Sequence, residues 1–318
     1  MAIVALGALA AIIIIIGLSS SDNGKFSNSP NQNPTVTTPA DTSGNKPTET
    51  TGPADENTSS DTTASTDTTA PDTTENTPDD TTSSPAPDNP DSPTYANGVP
   101  TEAELIRDYK GTILEKTADA GQEYIDDIIF LGDSTTYGLK AYKMLKDEDK
   151  TLQVWTPTNG TLSLSRATTD RIYYPDTKEQ ITVVEAVKKA KPSMMIITLG
   201  VNGVATMSEA QFKDAYTELV NSIKKASPDT KIILQSIFPT AKRYDTTKGI
   251  NNDKINRANV WVADVAKTCG VKYLYTASAL LGSDGYYMND SYQNGDGLHL
   301  NEVGFEKELN YIRTHAYN

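Results

Sequence analysis

The chain has 318 residues, of which 36% are hydrophobic, and it carries a formal net charge of −14. Thirteen acidic residues and two lysines fall within residues 19–98, which leaves 29 acidic and 26 basic residues in the remainder. A nearly neutral remainder lacks the clustered Lys and Arg that bind nucleic acid or anionic lipid, so we expect no nucleic-acid partner. One cysteine, Cys269, excludes an intrachain disulfide framework, and with only two histidines we expect no metal and no cofactor.

Residues 2–18 form an unbroken apolar run centred on the isoleucines at 12–16. As a helix this run would span about 25 Å, near the short end for crossing a membrane. A signal peptide would have basic residues before the run and small residues at a cleavage site, and residues 17–19 match such a site poorly. We therefore expect residues 1–18 to be a membrane anchor that holds the protein at the cell surface. A cleaved signal peptide and a secreted protein are the alternative.

Residues 19–98 are rich in Thr, Ser, Pro, Asp and Asn, and their large apolar residues are Phe26, Val36 and Tyr95. Such a segment buries too little apolar surface to offset the entropy of ordering, so we expect a disordered linker. A flexible coil of this length would span about 50 Å. The pattern predicts an extracellular stalk between the membrane and a folded domain.

Residues 99–318 predict one domain with alternating strands and helices. Short apolar runs predict buried strands at residues 128–131, 152–155, 194–199, 232–237 and 271–275. Helical patterns cover residues 101–117, 181–190, 209–226, 252–268 and 302–315. Thr101 with Glu104 and Ser208 with Gln211 form capping boxes at two of the helix starts. This alternation predicts an α/β fold with a parallel sheet covered by helices on both faces.

Candidate site residues follow four of the predicted strands, and ligands of parallel sheets bind at the carboxyl ends of the strands. These positions are Ser134 after the first strand, Gly160 after the second, Asn202 after the third, and Asp296 with His299 after the fifth. A hydroxyl, a histidine base with an orienting carboxylate, and amide donors for an oxyanion are together a set for acyl transfer. Each position alone also fits a plain structural role, since Ser caps helices and Asn-Gly and Asp-Gly form turns.

The same residues give the chain a resemblance to the SGNH/GDSL hydrolase family. The sequence Ile-Phe-Leu-Gly-Asp-Ser at 129–134, Gly160, Gly-x-Asn at 200–202 and Asp-Gly-Leu-His-Leu-Asn at 296–301 follow the order of the family's motifs. The resemblance implies a three-layer α/β/α sandwich around a five-stranded parallel sheet. It also implies a catalytic triad of Ser134, Asp296 and His299. Ser134, Gly160 and Asn202 would form the oxyanion hole.

One position departs from the family pattern, because Gly203 stands where the family usually has Asp after the third-block Asn. The oxyanion amide of Asn202 is kept, so the departure concerns the local support of that side chain.

Aromatic residues near the motifs indicate a class of substrate. Tyr286, Tyr287 and Tyr292 precede Asp296, and Trp155 lies near Gly160. Amphipathic rings suit the faces of sugars better than acyl chains, although surface tyrosines are also ordinary. We therefore predict an esterase that removes O-acyl groups, most readily O-acetyl, from carbohydrate or cell-wall glycan. The alternatives are a short-chain esterase or lysophospholipase-type acylhydrolase, and a non-catalytic glycan-binding module.

Overall fold

The computed structural model describes Tyr95 and residues 98–317. The predicted anchor at residues 1–18 and nearly all of the predicted linker at residues 19–98 lie outside the described residues. Tyr95 falls within that predicted linker, yet it is buried in the same core cluster as Leu105 and Tyr109. The linker prediction is therefore wrong at its end, because the packed region already includes Tyr95. Among the described residues, none of the helices has the length and apolar character needed to cross a membrane.

The described residues contain eight α-helices and seven β-strands. The helices are α1 Glu102–Asp108, α2 Gly121–Asp126, α3 Ser134–Ala141, α4 Val183–Ala190, α5 Glu209–Ala226, α6 Asn252–Cys269, α7 Ala277–Leu280 and α8 Glu302–Thr314. The strands are β1 Ile128–Gly132, β2 Val154–Trp155, β3 Arg171–Tyr174, β4 Glu179–Thr182, β5 Met194–Thr198, β6 Lys231–Gln235 and β7 Lys272–Leu274.

Five of the strands form one parallel sheet in the order β2-β1-β5-β6-β7. Every residue of the central strand β5 is buried, as expected for a strand with helices on both faces. Gly132 at the end of β1 lies beside Thr198 at the end of β5. The predicted five-stranded parallel sheet is confirmed, and its register brings the chain segments after β1 and β5 to one edge.

The side chains of the sheet alternate between two hydrophobic layers. Met195 and Ile197 of β5 belong to the cluster that includes Phe212 of α5. Met194 and Ile196 belong to the other cluster, whose helical members come from α2, α3, α7 and α8. Because successive side chains of a strand point to opposite faces, helices cover both sides of the sheet. The predicted three-layer α/β/α arrangement is therefore confirmed.

The first helix is shorter than the sequence pattern predicts. Its capping box of Thr101 and Glu104 is present, but α1 ends at Asp108 rather than near residue 117. Gly111 has φ of +79°, a conformation that glycine adopts readily and that ends the helical path. Beyond it, Ile113 forms a parallel bridge with Tyr273 of β7. Pairing with this distant strand overrides the local helical pattern.

A β-hairpin that the sequence pattern did not predict precedes α4. Strands β3 and β4 pair in antiparallel fashion outside the main sheet. The predicted helix at residues 181–190 therefore begins two residues later, at Val183. Thr182 and Glu185 form a capping box at this start, which fixes the boundary between β4 and α4.

Candidate active site

Ser134 is the first residue of α3 and stands directly after the strand β1 and the capping residue Asp133. The Asp133 carboxylate is buried and accepts hydrogen bonds from the backbone N–H and the hydroxyl of Thr135, at 3.0 and 2.7 Å. Burial raises the pKa of Asp133, and the two Thr135 hydrogen bonds oppose that rise. Asp133 caps the Thr135 amide, and Ser134 as the first residue of α3 has its N–H at the positive end of the helix dipole.

Gly132 is required for the tight passage from β1 to α3. A Cβ at this position would overlap the Thr136 hydroxyl and lie 2.6 Å from the Thr198 carbonyl oxygen. The absence of a side chain therefore lets α3 begin close against β5. This close approach brings Ser134 to the same sheet edge as the segment after β5.

The structure brings Ser134, His299 and Asp296 together in one hydrogen-bonded chain. The His299 Nε2 atom lies 2.9 Å from the Ser134 Oγ atom, and the His299 Nδ1 atom lies 2.6 Å from Asp296 Oδ2. The His299 side chain is 13% exposed and the Asp296 side chain 46% exposed. These are the distances at which a base takes a proton from a hydroxyl nucleophile.

Asp296 is held as an ionised hydrogen-bond acceptor. Its Oδ1 atom accepts from the backbone amides of Leu298 and His299, at 2.8 and 2.9 Å. Partial burial raises the pKa of Asp296, but hydrogen bonds from His299 and these two amides outweigh it and hold the pKa at about 2. An ionised carboxylate can only accept, so the His299 Nδ1 atom carries the proton. That tautomer leaves the Nε2 lone pair for the Ser134 hydroxyl.

The loop that carries Asp296 is organised by Gln293, a buried residue that the sequence interpretation missed. Its Oε1 atom accepts from the Gly295 and Gly297 amides, at 2.6 and 3.0 Å. The Gly297 carbonyl in turn accepts from the Ala241 amide, which ties the loop to the segment after β6. A polar residue three positions before the Asp-Gly-Leu-His motif was the available signal, but its burial is visible only in the folded structure.

Asn202 lies after β5, beyond the residue that pairs with Gly132 across the sheet. Its side-chain Nδ2 atom is buried and has no hydrogen-bond partner within the described part of the chain. An unpaired buried donor costs stability, and the Asn202 amide is free to donate to an acceptor that enters the site. At the departure from the family pattern, a Cβ on Gly203 would lie 2.8 Å from the Met207 sulfur, so a side chain there would require the flexible Met207 side chain to shift.

Gly160, which the sequence predicts as an oxyanion donor, lies in a turn in which its amide is engaged. The Gly160 N–H already donates to the Pro157 carbonyl at 2.8 Å, which closes a turn after β2. Gly160 has φ of +74°, and a Cβ on it would lie 3.4 Å from the Tyr137 ring. Gly160 therefore suits the left-handed backbone of this turn, and its amide donates within the turn.

The predicted substrate-binding role of Trp155 is wrong. Its side chain is 1% exposed, its Nε1–H donates to the Leu152 carbonyl, and its ring makes an edge contact with Tyr174. Trp155 is the last residue of the edge strand β2, and the β3–β4 hairpin supplies Tyr174 as its partner. The ring belongs to the hydrophobic core.

The three predicted tyrosines lie in different settings. Tyr286 donates its hydroxyl to Asp253 at 2.6 Å and meets Tyr287 edge to face. Tyr287 lines an open cavity of about 660 Å³, and Arg243 of the same lining lies against Gly297 in the loop that carries Asp296 and His299, the His299 loop. Tyr292 is partly buried and packs against the core cluster on the α8 side. Of the three, Tyr287 is the one whose position fits a ligand.

Comparison with known proteins identifies the family. The model of the GDSL-like lipase/acylhydrolase family matches residues 130–307, a span that contains Ser134, Asn202, Asp296 and His299. The chain therefore belongs to this family and is a carboxylic ester hydrolase. Within the described residues there is no group of three or more His, Cys, Asp or Glu side chains that would hold a metal ion.

Several solved structures are similar to this chain, whereas no curated protein matches it. A GDSL-like lipase from Bacteroides thetaiotaomicron shows 18% identity, with 65% of this chain and 93% of that chain covered and a TM-score of 0.41. The periplasmic domain of a Salmonella Paratyphi A lipopolysaccharide acetyltransferase shows 19% identity, coverage of 67% and 88%, and a TM-score of 0.41. A family two carbohydrate esterase from Clostridium thermocellum, in complex with cellohexaose, shows 14% identity, coverage of 58% and 62%, and a TM-score of 0.41.

Proposed function

We propose that this hydrolase removes O-acyl groups, chiefly O-acetyl groups, from carbohydrate by means of a catalytic triad of Ser134, His299 and Asp296. The observation that carries the proposal is the hydrogen-bonded chain from the Ser134 hydroxyl through the His299 ring to the Asp296 carboxylate. In this chain the nucleophile, the base and the residue that orients the base each have the partner that their role requires.

The reaction follows from this geometry. Ser134 Oγ attacks the ester carbonyl carbon while His299 Nε2 takes the hydroxyl proton, and the Asp296 carboxylate stabilises the imidazolium. The oxyanion that forms accepts from the Ser134 N–H and from the unpaired Asn202 Nδ2. When this tetrahedral intermediate collapses, the sugar oxygen leaves as a hydroxyl after taking the proton from His299, and the acyl group remains on Ser134 as an acyl-enzyme. Water activated by His299 then attacks this ester, releases the carboxylic acid and restores Ser134.

The cavity beside the His299 loop supports a carbohydrate as the alcohol part of the ester. Polar groups dominate its lining, which includes Lys242, Arg243, Ser283, Asp284, Tyr287 and Asn289. The Arg243 side chain lies against Gly297, since its Cγ atom is 3.1 Å from the place of a Gly297 Cβ. A pocket for a long acyl chain would be lined mainly by apolar groups, so this polar lining favours a sugar.

The role of Ser134 is tested directly by substitution and labelling. Ser134→Ala should lower kcat on a small ester by about 10⁶, the loss found when a triad nucleophile is removed. A serine-reactive fluorophosphonate should label the wild type and not the variant. Activity that survives in a folded Ser134→Ala protein would contradict the triad.

The substrate class is tested by measuring acetate release from acetylated xylan, pectin and peptidoglycan beside p-nitrophenyl esters of increasing chain length. We expect release from at least one glycan and a decline of kcat/KM beyond the shortest acyl groups. A preference for long acyl chains would instead favour the alternative, a lysophospholipase-type acylhydrolase. Glycan binding without any hydrolysis would favour a binding module.

We also propose that the enzyme acts outside the membrane, at the end of the acidic segment at residues 19–98. This rests on the apolar run at residues 2–18 and on the composition of the following segment. Protease added to intact cells should release an active fragment, and retention of all activity behind the membrane would contradict this placement.

A further inference from the structure

A second cavity, of about 310 Å³, lies beside helix α3 on the β2 side of the sheet. Its lining includes Tyr137, Lys140, Thr156, Pro157, Thr158 and Tyr173. Tyr137 lies one helical turn after Ser134, and its ring borders the turn at Gly160. This α3 cavity therefore shares the helix that begins with the nucleophile.

Lys140 gives the α3 cavity its charge. The Lys140 Nζ atom lies 6.0 Å from the centre of the Tyr173 ring, and the side chain is partly buried. Lys140 has no ion pair within the described part of the chain, whereas Lys143 pairs with Glu148 and Lys189 with Glu179. None of the described residues that line the cavity carries a carboxylate. The ammonium group is therefore available to an anion that enters from solvent.

The two tyrosines give the α3 cavity the surface of a sugar site. Tyr137 and Tyr173 are partly buried and line it from α3 and from strand β3. Such rings offer an apolar face to the C–H groups of a sugar and a hydroxyl to its oxygens. Thr156 and Thr158 add hydroxyl-bearing side chains along the same wall.

The larger cavity beside the His299 loop has a different charge balance. Its cations, Lys242 and Arg243, are accompanied by Asp284 and Asp290. The opposite charges there compensate each other, so that cavity suits a neutral polar group. Of the two cavities, the α3 cavity is the one whose described lining has a cation and no carboxylate to balance its charge.

We propose that the α3 cavity binds a carboxylate-bearing sugar of the glycan, with Lys140 pairing to the carboxylate and Tyr137 and Tyr173 contacting the ring. The inference rests on the proposed carbohydrate esterase function and narrows its substrates to acidic glycans. The carboxylate has two chemical sources, which are a uronic acid and the lactyl or peptide carboxylates of a wall glycan. Lys140 is a specificity-determining residue in this account, and it takes no part in the bond-breaking step.

The test compares Lys140→Met with Lys140→Arg and with Lys188→Met in the full chain. Lys188 is an exposed lysine of α4 outside the cavity, so its variant makes the same change of net charge elsewhere. Acetate release is measured on O-acetylated polygalacturonate, on the same polymer with its carboxyls methyl-esterified, on O-acetylated peptidoglycan and on acetylated xylan. The quantity compared is the ratio of kcat/KM on each acidic glycan to that on neutral xylan.

Lys140→Met should lower this ratio by about ten- to a hundredfold, mainly through KM, as expected for loss of one charge-assisted hydrogen bond. Lys140→Arg should retain most of the ratio, and Lys188→Met should leave it unchanged. The acidic substrate on which the ratio falls identifies the source of the carboxylate. Added salt should lower the wild-type ratio and have little effect on that of Lys140→Met.

An unchanged ratio in Lys140→Met, or an equal fall in Lys188→Met, would overturn the assignment of the α3 cavity. The proposed function is judged separately from the wild type, by its hydrolysis of p-nitrophenyl acetate and its acetate release from any glycan. If the wild type cleaves acetylated xylan and the ratio of kcat/KM values is the same in Lys140→Met as in the wild type, the α3 cavity site is refuted and the proposed function is not.

Discussion

The His299 ring and the Asp296 carboxylate meet at 2.6 Å within a single turn of chain, while the Asp296 carboxylate also accepts from the backbone amides of Leu298 and His299. One short segment therefore supplies both the Asp296 carboxylate and the His299 ring that this carboxylate orients. Because the contact is local, it depends on the loop conformation that Gln293 supports. A change at Asp296 should consequently affect the state of His299 more than the fold.

Asp296→Asn should lower kcat by about 10⁴ on a small ester, because an amide at this position no longer requires the proton on His299 Nδ1. The wrong tautomer places a proton on Nε2, where Ser134 needs an acceptor. Steady-state kinetics of the variant beside the wild type measures the loss.

Circular dichroism and the melting temperature of Asp296→Asn serve as the control, and we expect both to stay near wild-type values. A kcat within tenfold of wild type in a folded variant would show that His299 works without this carboxylate.

Gly132→Ala should destabilise the protein by about 1–3 kcal/mol, the usual cost of overpacking a close-packed site. The added methyl group would collide with Thr136 and with the carbonyl oxygen of Thr198, and backbone atoms cannot move aside easily. Urea unfolding measures the change in the free energy of unfolding.

Gly282→Ala is the matched control, because its added Cβ would meet its neighbours at ordinary contact distances of 3.5 Å or more. We expect little change in its free energy of unfolding. Equal stability of the Gly132 and Gly282 variants would mean that the passage from β1 to α3 relaxes without cost.

The helices whose ends were predicted correctly have capping or terminating residues next to those ends in the sequence. Helix α5 begins after the capping box of Ser208 and Gln211 and ends at Ala226, as the pattern indicates. Helix α6 ends before Gly270, which has φ of +65°. Helix α1 was predicted too long because the pairing of Ile113 with Tyr273 joins segments far apart in the chain, and a local pattern contains no trace of it.

The site residues also divide into those that lie in local motifs and those whose position depends on contacts between distant segments. Ser134, Asp296 and His299 lie in short motifs, so their arrangement was predictable once the strand order was. The burial of Trp155 depends on Tyr174 of the hairpin, and the α3 cavity forms only where Tyr173 of that hairpin approaches Tyr137. Because the β3–β4 hairpin was not predicted, neither the burial of Trp155 nor the α3 cavity could be predicted.

Asn202→Ala should lower kcat by about 10²–10³ and leave KM nearly unchanged, because its amide is expected to bond to the oxyanion rather than to the ground-state ester. The buried Nδ2 atom has no partner among the described residues, so its removal breaks no hydrogen bond there. We therefore expect a melting temperature equal to or above that of the wild type. A preserved kcat with a lower melting temperature would make Asn202 a turn residue.

A buried carboxyl group of helix α8 makes stability depend on pH. Glu308 of α8 is 2% exposed and accepts from Gln235 Nε2 at 2.9 Å, while its second oxygen has no partner within the described residues. Burial raises the pKa of Glu308 to about 8, and the hydrogen bond from Gln235 opposes that rise only in part. The folded protein therefore keeps this carboxyl protonated at a pH where the unfolded chain ionises it.

Glu308→Gln should be more stable than the wild type at pH 8.5 by an amount on the order of a few kcal/mol, and nearly equal to it at pH 4.5. For a carboxyl whose pKa is raised on folding, the unfolded chain loses its proton first. Wild-type stability therefore falls as pH rises from about 4.5 to about 8, and stays low above that range. The amide keeps the size of the side chain and an acceptor for Gln235, but it has no proton to lose. Urea unfolding of both proteins at half-unit intervals from pH 4.5 to 9 measures the difference, and parallel stability curves would show that Glu308 does not titrate in this range.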